Sequence, residues 1–143
     1  MNVSVTTNAG RIAARWEARA RAFGPEQRAT QDRIRSVILA ESRRILAVKI
    51  YAKPIPRSGT GRPQWTRTQE LYQSEKAEIR GGDVVLRNTA SHAARRRDLK
   101  QSQIRSPGIE EVRWQEEALA NKRGAIREFY HTMNLNILKA GGT

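Results

Sequence analysis

The side chains best suited to chemistry are few and scattered. His92 and His131 lie far apart, and neither has the His-x-Glu or His-Glu-x-x-His partner that would place a metal or a general base. His131, beside Tyr130 on an amphipathic stretch, reads as a surface or packed side chain. Ser58-Gly59-Thr60-Gly61-Arg62 has the glycines of a phosphate loop, but no Gly-Lys-Ser/Thr follows and no strand precedes it. Glu110-Glu111 and Glu116-Glu117 are paired carboxylates near the start of a helix, where they complement its dipole without catalysis. The chain has no cysteine, which excludes a disulfide framework, a thiolate zinc site and a cysteine nucleophile. No set of residues meets the requirements of nucleophile, base and oxyanion donor. A non-enzyme without metal or cofactor is expected.

Charge is the stronger signal. The 143 residues carry 27 Lys+Arg against 14 Asp+Glu, a net charge of +13. Between Ser42 and Gln69 there is no acid, only Arg43, Arg44, Lys49, Lys53, Arg57, Arg62 and Arg67. A one-signed stretch repels itself unless it faces a polyanion or an acidic partner. Arg95-Arg96-Arg97 forms a second basic run. Both could line a phosphate surface with salt-dependent, sequence-independent affinity. Helix-turn-helix spacing, a zinc finger and an aromatic-rich strand for stacking bases are all missing. Any DNA contact should therefore be non-specific, as in a small sequence-independent nucleic-acid-binding protein. Arg43, Arg44, Lys53, Arg57, Arg62, Arg67, Arg95, Arg96 and Arg97 are the candidate contacts with DNA or an acidic neighbour.

The elements that would carry these residues have a thin core. Leu, Ile, Val and Phe together number 28 of 143, just under a fifth, which borders on the composition of disordered chains. The length suits one domain over residues 1–143. Either part of the chain is disordered or its core is completed by other subunits. No apolar run approaches a membrane span, and MNVSVTTNAG has the features of no secretory signal.

Val3–Thr6 alternates as a short edge strand would. Asn8 can cap a helix from about Ala9 to Phe23, with Ile12, Trp16, Ala20 and Phe23 on one stripe. Gly24-Pro25 should end it and start another helix reaching Ala52. That second helix has two apolar stripes. One comprises Ile34, Val37, Ile38, Ile45 and Val48; nearly opposite lie Leu39, Leu46 and Ile50, the expected subunit interface. Flexible basic loops are expected near 53–66 and 95–110. Between them a helical turn near Thr68–Ser74 precedes a hairpin of Lys76–Arg80 and Asp83–Asn88, whose Gly81-Gly82 turn should take positive φ at both glycines. A last helix runs from about Val112 to Ala140 and ends at Gly141-Gly142. The fold class is α+β: long N-terminal helices and a C-terminal helix packed on a small antiparallel sheet containing a β-hairpin.

This order of parts resembles the tail-completion or neck proteins of long-tailed bacteriophages. In that family the loop after the long helix leads into a Thr-Gly-x-Leu-x-x-Ser motif. Here the motif reads Thr68-Gln69-Glu70-Leu71-Tyr72-Gln73-Ser74, with Gln69 at the glycine position. The hairpin follows where the family has its own. Then comes Ser91-His92-Ala93-Ala94, where relatives show Tyr-Ala and a Glu-Gly-Thr. That last triplet is replaced by the basic run from Arg95. The resemblance covers roughly residues 25–95. It implies a non-enzymatic virion protein at the head–tail junction, made in the host cytoplasm and assembled as a homo-oligomeric ring, hexameric or dodecameric. The implied partners are a head-side portal, adaptor or head-completion protein, a tail terminator or tail tube protein, and non-specific DNA in the lumen. No membrane is implied.

Overall fold

The computed structural model describes residues 6–52, 59–60, 69–90 and 113–142. Among them the chain is mostly helical, with one antiparallel hairpin, an α+β arrangement. Helix α1 spans Thr6–Leu46 and continues through a π-helical turn, Ala47–Tyr51. A short helix α2 (Glu70–Ser74) runs directly into strand β1 (Glu75–Arg80), which turns into β2 (Asp83–Asn88). Helix α3 spans Trp114–Ala140. The expected strand at residues 3–5 and the basic loops near 53–66 and 95–110 fall outside the described residues, apart from Gly59 and Thr60, and Thr6 belongs to α1.

The expected break at Gly24-Pro25 is absent, and α1 passes through it. Proline in a helix interior removes the hydrogen bond to the residue four back and costs about 3 kcal/mol. Part of its penalty is a clash between the ring and the preceding Cβ, which Gly24 does not have. The next turns are also held by packing. Thr30, Gln31 and Ile34 are buried, and Asn136 Nδ2 donates to Glu26 Oε2 at 3.0 Å. Tertiary contacts thus override the local stop signal.

Contacts group the chain into two compact units. The first combines the N-terminal part of α1, to Ile34, with α3 from Gly124 onward. Here Gly141 lies so close to α1 that a Cβ would sit 2.5 Å from Arg19 Nε and 3.2 Å from the Arg15 carbonyl. Gly142, at φ +73°, closes α3 by donating its N–H to the Lys139 carbonyl at 2.9 Å, as expected of a glycine just past a helix end.

The second unit, Arg35–Arg123, holds the hairpin. Its core is Ile45, Leu46, Leu71, Ala90, Trp114 and Ala118, with Ile50, Tyr51 and Leu86 packed against it. The wide π turn ends with Ala52 N–H donating to the Ala47 carbonyl at 2.8 Å. It brings Tyr51 to α2, where the Tyr51 hydroxyl accepts the Tyr72 N–H and the two rings meet edge to face at 6.4 Å. Leu46 was expected at a subunit interface beside Leu39 and Ile50. Instead Leu46 is fully buried in this core, Ile50 packs against it, and Leu39 is half-buried. The buried sector of α1 is wide at this level because α2 and the start of α3 both lie on it. The double stripe is therefore largely accounted for within the chain.

In the hairpin, Glu75 pairs with Asn88, Ala77 with Leu86 and Ile79 with Val84, all on one face. Lys76–Arg87, Glu78–Val85 and Arg80–Asp83 occupy the other. Only Gly81 takes a left-handed φ, +60°. The turn thus needs positive φ at its first central position alone, unlike the expected form with positive φ at both glycines.

Candidate interaction surface

The acid-free stretch of the sequence meets its acids in the fold. Arg44 donates two hydrogen bonds to Glu41, to Oε1 at 2.7 Å and Oε2 at 3.0 Å. Asn121 Nδ2 adds a third at 2.9 Å, and Lys122 lies 3.7 Å away. Glu41 is buried, yet this cluster holds its carboxyl at about 2, well below the usual range. The hydrogen bonds from Arg44 and then Asn121 are the main causes, and desolvation opposes them. The same pair raises Arg44 above its ordinary value, chiefly through the hydrogen bond to Glu41. Lys49 pairs with Glu117 at 2.5 Å. The self-repulsion read from residues 42–69 is thus relieved in part by Glu41, one helical turn before Arg44, and by Glu117, 68 residues from Lys49.

Arg43 is committed as well. Its Nη2 donates to the Glu75 carbonyl at 3.1 Å, and its guanidinium stands 5.6 Å from the Tyr72 ring centre. Its Nε is buried without an acceptor. Arg43 and Arg44 were expected at a DNA or partner surface, but Arg43 clamps β1 and α2 to α1. Arg44 keeps half of its side chain in solvent while bound to Glu41. The other candidates, Lys53, Arg57, Arg62, Arg67, Arg95, Arg96 and Arg97, lie outside the described residues.

Among the described residues the densest polar arrangement surrounds Glu75, which is fully buried. The Ser42 hydroxyl donates to Glu75 Oε1 at 2.6 Å and Gln115 Nε2 to the same oxygen at 3.0 Å. Asn88 Nδ2 donates to Glu75 Oε2 at 2.6 Å and to the Leu71 carbonyl at 2.7 Å, and its own Oδ1 accepts the Ala90 N–H at 2.9 Å. One side chain is thereby tied to α1, to α3 and, through Asn88, to β2 and α2. Buried polar groups tolerate an apolar setting only when hydrogen-bonded, and each carboxyl oxygen here has a donor. The cluster fixes where the hairpin leaves the core.

Glu75, Ser42, Asn88 and Gln115 belong to no motif in the sequence. One signal was readable: Ser42 interrupts the Ile34–Ile38–Ile45 stripe, and Glu75 shares a strand face with Ala77 and Ile79. A polar residue on each of two apolar faces invites pairing.

Away from the cluster the surface is apolar as well as basic. Ile12, Trp16 and Phe23 form a stripe along the first turns of α1, about half to two-thirds exposed. Arg19 stands 5.3 Å from the Trp16 ring centre. Exposed apolar stripes of this kind mark contact surfaces.

Among the described residues no group of three His, Cys, Asp or Glu side chains is placed to hold a metal, and no helix is long and apolar enough to cross a membrane. Comparison with protein-family models, with curated proteins and with solved structures gave no match.

Proposed function

We propose that this chain is a structural subunit of a bacteriophage neck, assembling as a homo-oligomeric ring that joins the head connector to the tail around the DNA channel. The observation that carries this is the backbone at Gln69. It is the one described non-glycine residue with positive φ, at φ 56° and ψ 16°. That is the left-handed conformation glycine adopts without penalty. The family motif has glycine at this very position. A left-handed residue at the motif's glycine position supports the reading, as do Leu71, buried in the core, and α2, which runs straight into the hairpin.

Two further features support the reading. The stripe Ile12–Trp16–Phe23 gives a subunit apolar surface to cover against a neighbour. The net charge of +13 suits a ring whose lumen surrounds DNA. Among its expected partners are the portal, adaptor or head-completion protein above and the tail terminator or tail tube below.

The test is deletion of the gene from the phage genome that carries it, followed by electron microscopy of the lysate. Filled heads lying apart from complete tails are the expected result. Intact, infectious particles would overturn the proposal. Tight salt-dependent DNA binding by an isolated monomer, with normal particles, would favour a sequence-independent nucleic-acid-binding protein instead.

A further inference from the structure

Among the described residues the hairpin has an open edge, and its residues complement themselves. A two-residue turn closes on a hydrogen-bonded pair, here Arg80 and Asp83. Alternation along the ladder then directs the N–H and C=O groups of Asp83, Val85 and Arg87 toward β1, and those of Val84 and Leu86 outward. The opposite edge obeys the same alternation. The Glu75 carbonyl points away from β2, and there Arg43 Nη2 takes it. The outer edge of β1 thus begins against α1, while the edge of β2 has no strand beside it among the described residues. An open strand edge is a template for another strand.

We propose that the free edge of β2 pairs antiparallel with the same edge of a second copy of this chain, on a two-fold axis through Val85. In that register Val84 and Leu86 of each copy face Leu86 and Val84 of the other, exchanging the outward backbone hydrogen bonds. Val85 meets Val85, and Asp83 stands opposite Arg87 on both sides of the axis. Shifting the axis by one residue, to Val84 or Leu86, keeps the backbone alternation but sets Asp83 or Arg87 against Val85. Only the Val85-centred register matches charge with charge and apolar with apolar.

The hairpin itself leaves these charges poorly matched. Arg87 stands opposite Lys76 and reaches Glu78 only at 3.9 Å, while Arg80, opposite Asp83, gives its guanidinium to Glu78 at 2.9 Å. Like charges directly across a sheet destabilise it and opposite charges stabilise it. Val85 lies on the outer face and is 36% exposed. Pairing would build a four-stranded sheet from two hairpins and cover the edge on both.

Such a contact is isologous and closes on two copies, so it does not propagate around a ring. It describes the chain before assembly, and it holds or fails independently of the neck proposal.

Because the chain has no cysteine, Val85→Cys creates a single thiol on the proposed axis. Facing residues of a non-hydrogen-bonded pair have Cα atoms about 4.5 Å apart, inside the roughly 4.4–6.8 Å window of a disulfide. The expected result is rapid disulfide-linked dimer on mild oxidation of the full chain. Val48→Cys, more exposed and in the π-helical turn after α1, should link more slowly. Dimer dissociation by sedimentation provides the second readout. Asp83→Arg or Arg87→Asp alone disturbs two pairs at once and should weaken association about tenfold, and the two together should restore it. Val84→Pro removes only an outward N–H and should abolish the dimer while circular dichroism stays unchanged. A monomer at all concentrations, a dimer indifferent to Val84→Pro and the charge exchange, or equal linkage of the two cysteine variants would each overturn the proposal.

Discussion

Replacing Glu75 with leucine removes the acceptor on which the buried Ser42 and Gln115 and the half-buried Asn88 converge. The cost follows from what each donor can do next. The Ser42 hydroxyl can turn back to the carbonyl four residues earlier in α1, as serines in helices do, and so loses little. Asn88 Nδ2 keeps the Leu71 carbonyl and loses one of two acceptors. Gln115 Nε2 is left buried without its acceptor, at about 1–3 kcal/mol. With the partial losses at Ser42 and Asn88 added, the total comes to about 3 kcal/mol, a large share of the 5–15 kcal/mol typical of a small domain.

Glu75→Gln should cost much less, about 1 kcal/mol. Its oxygen can stay on Asn88, which cannot rotate because Leu71 and Ala90 hold both ends of its amide. Its new N–H₂ can be accepted by Ser42 and by Gln115 after that amide turns over. Urea denaturation of the full chain is the assay. With a slope of about 1.5 kcal/mol/M, the midpoint falls by about 2 M for leucine and by under 1 M for glutamine. Adding Ser42→Ala and Gln115→Leu to Glu75→Leu should recover most of the loss, since replacing facing polar partners together by apolar groups is nearly neutral. A leucine variant as stable as the wild type would refute the argument that this cluster anchors the hairpin.

Three other outcomes are expected. Glu41 titrates at about 2 in the folded chain against 4.5 ordinarily, so the unfolded chain binds more protons between those values. Its contribution, roughly 1–2 kcal/mol after allowing for the exposed Arg44, is therefore full above pH 4.5 and lost as pH falls toward 2. The stabilities of wild type and Glu41→Gln should differ at neutral pH and converge near pH 2. Gln69→Gly should stabilise by about 0.5–1 kcal/mol in the same urea assay, because relief of the left-handed strain exceeds the added chain entropy; destabilisation would mean the strain is absent. Gly141→Ala, forced against Arg19 and the Arg15 carbonyl, should lower stability by about 1–2 kcal/mol, whereas Gly124→Ala, with open space around it, should raise it by about 0.5–1 kcal/mol in thermal melts.

What could be read from the residues was local and periodic. The Gly81-Gly82 hairpin, the C-terminal helix and the helix end at Ala52 all follow from turn chemistry and apolar spacing, and each lies within two residues of its place. The misjudged features depended on distant partners. Gly24-Pro25 looks like a stop until Glu26 and the buried residues after it are seen to be held. The acid-free run after Ser42 looks unbalanced until Glu117, 68 residues from Lys49, comes beside it. Leu46 looks like a second face because one helix drawn alone does not show that α2 and α3 share a wide sector of it. The Glu75 cluster joins residues 33, 13 and 40 positions apart, a separation that no local pattern announces.

A neck subunit belongs at the junction of head and tail. Gold-labelled antibody against this chain, applied to purified particles and viewed by electron microscopy, tests this most directly. Label at one point on each particle, the junction of head and tail, is expected. Label along the tail or over the capsid, or particles that lack the chain altogether, would contradict the neck proposal.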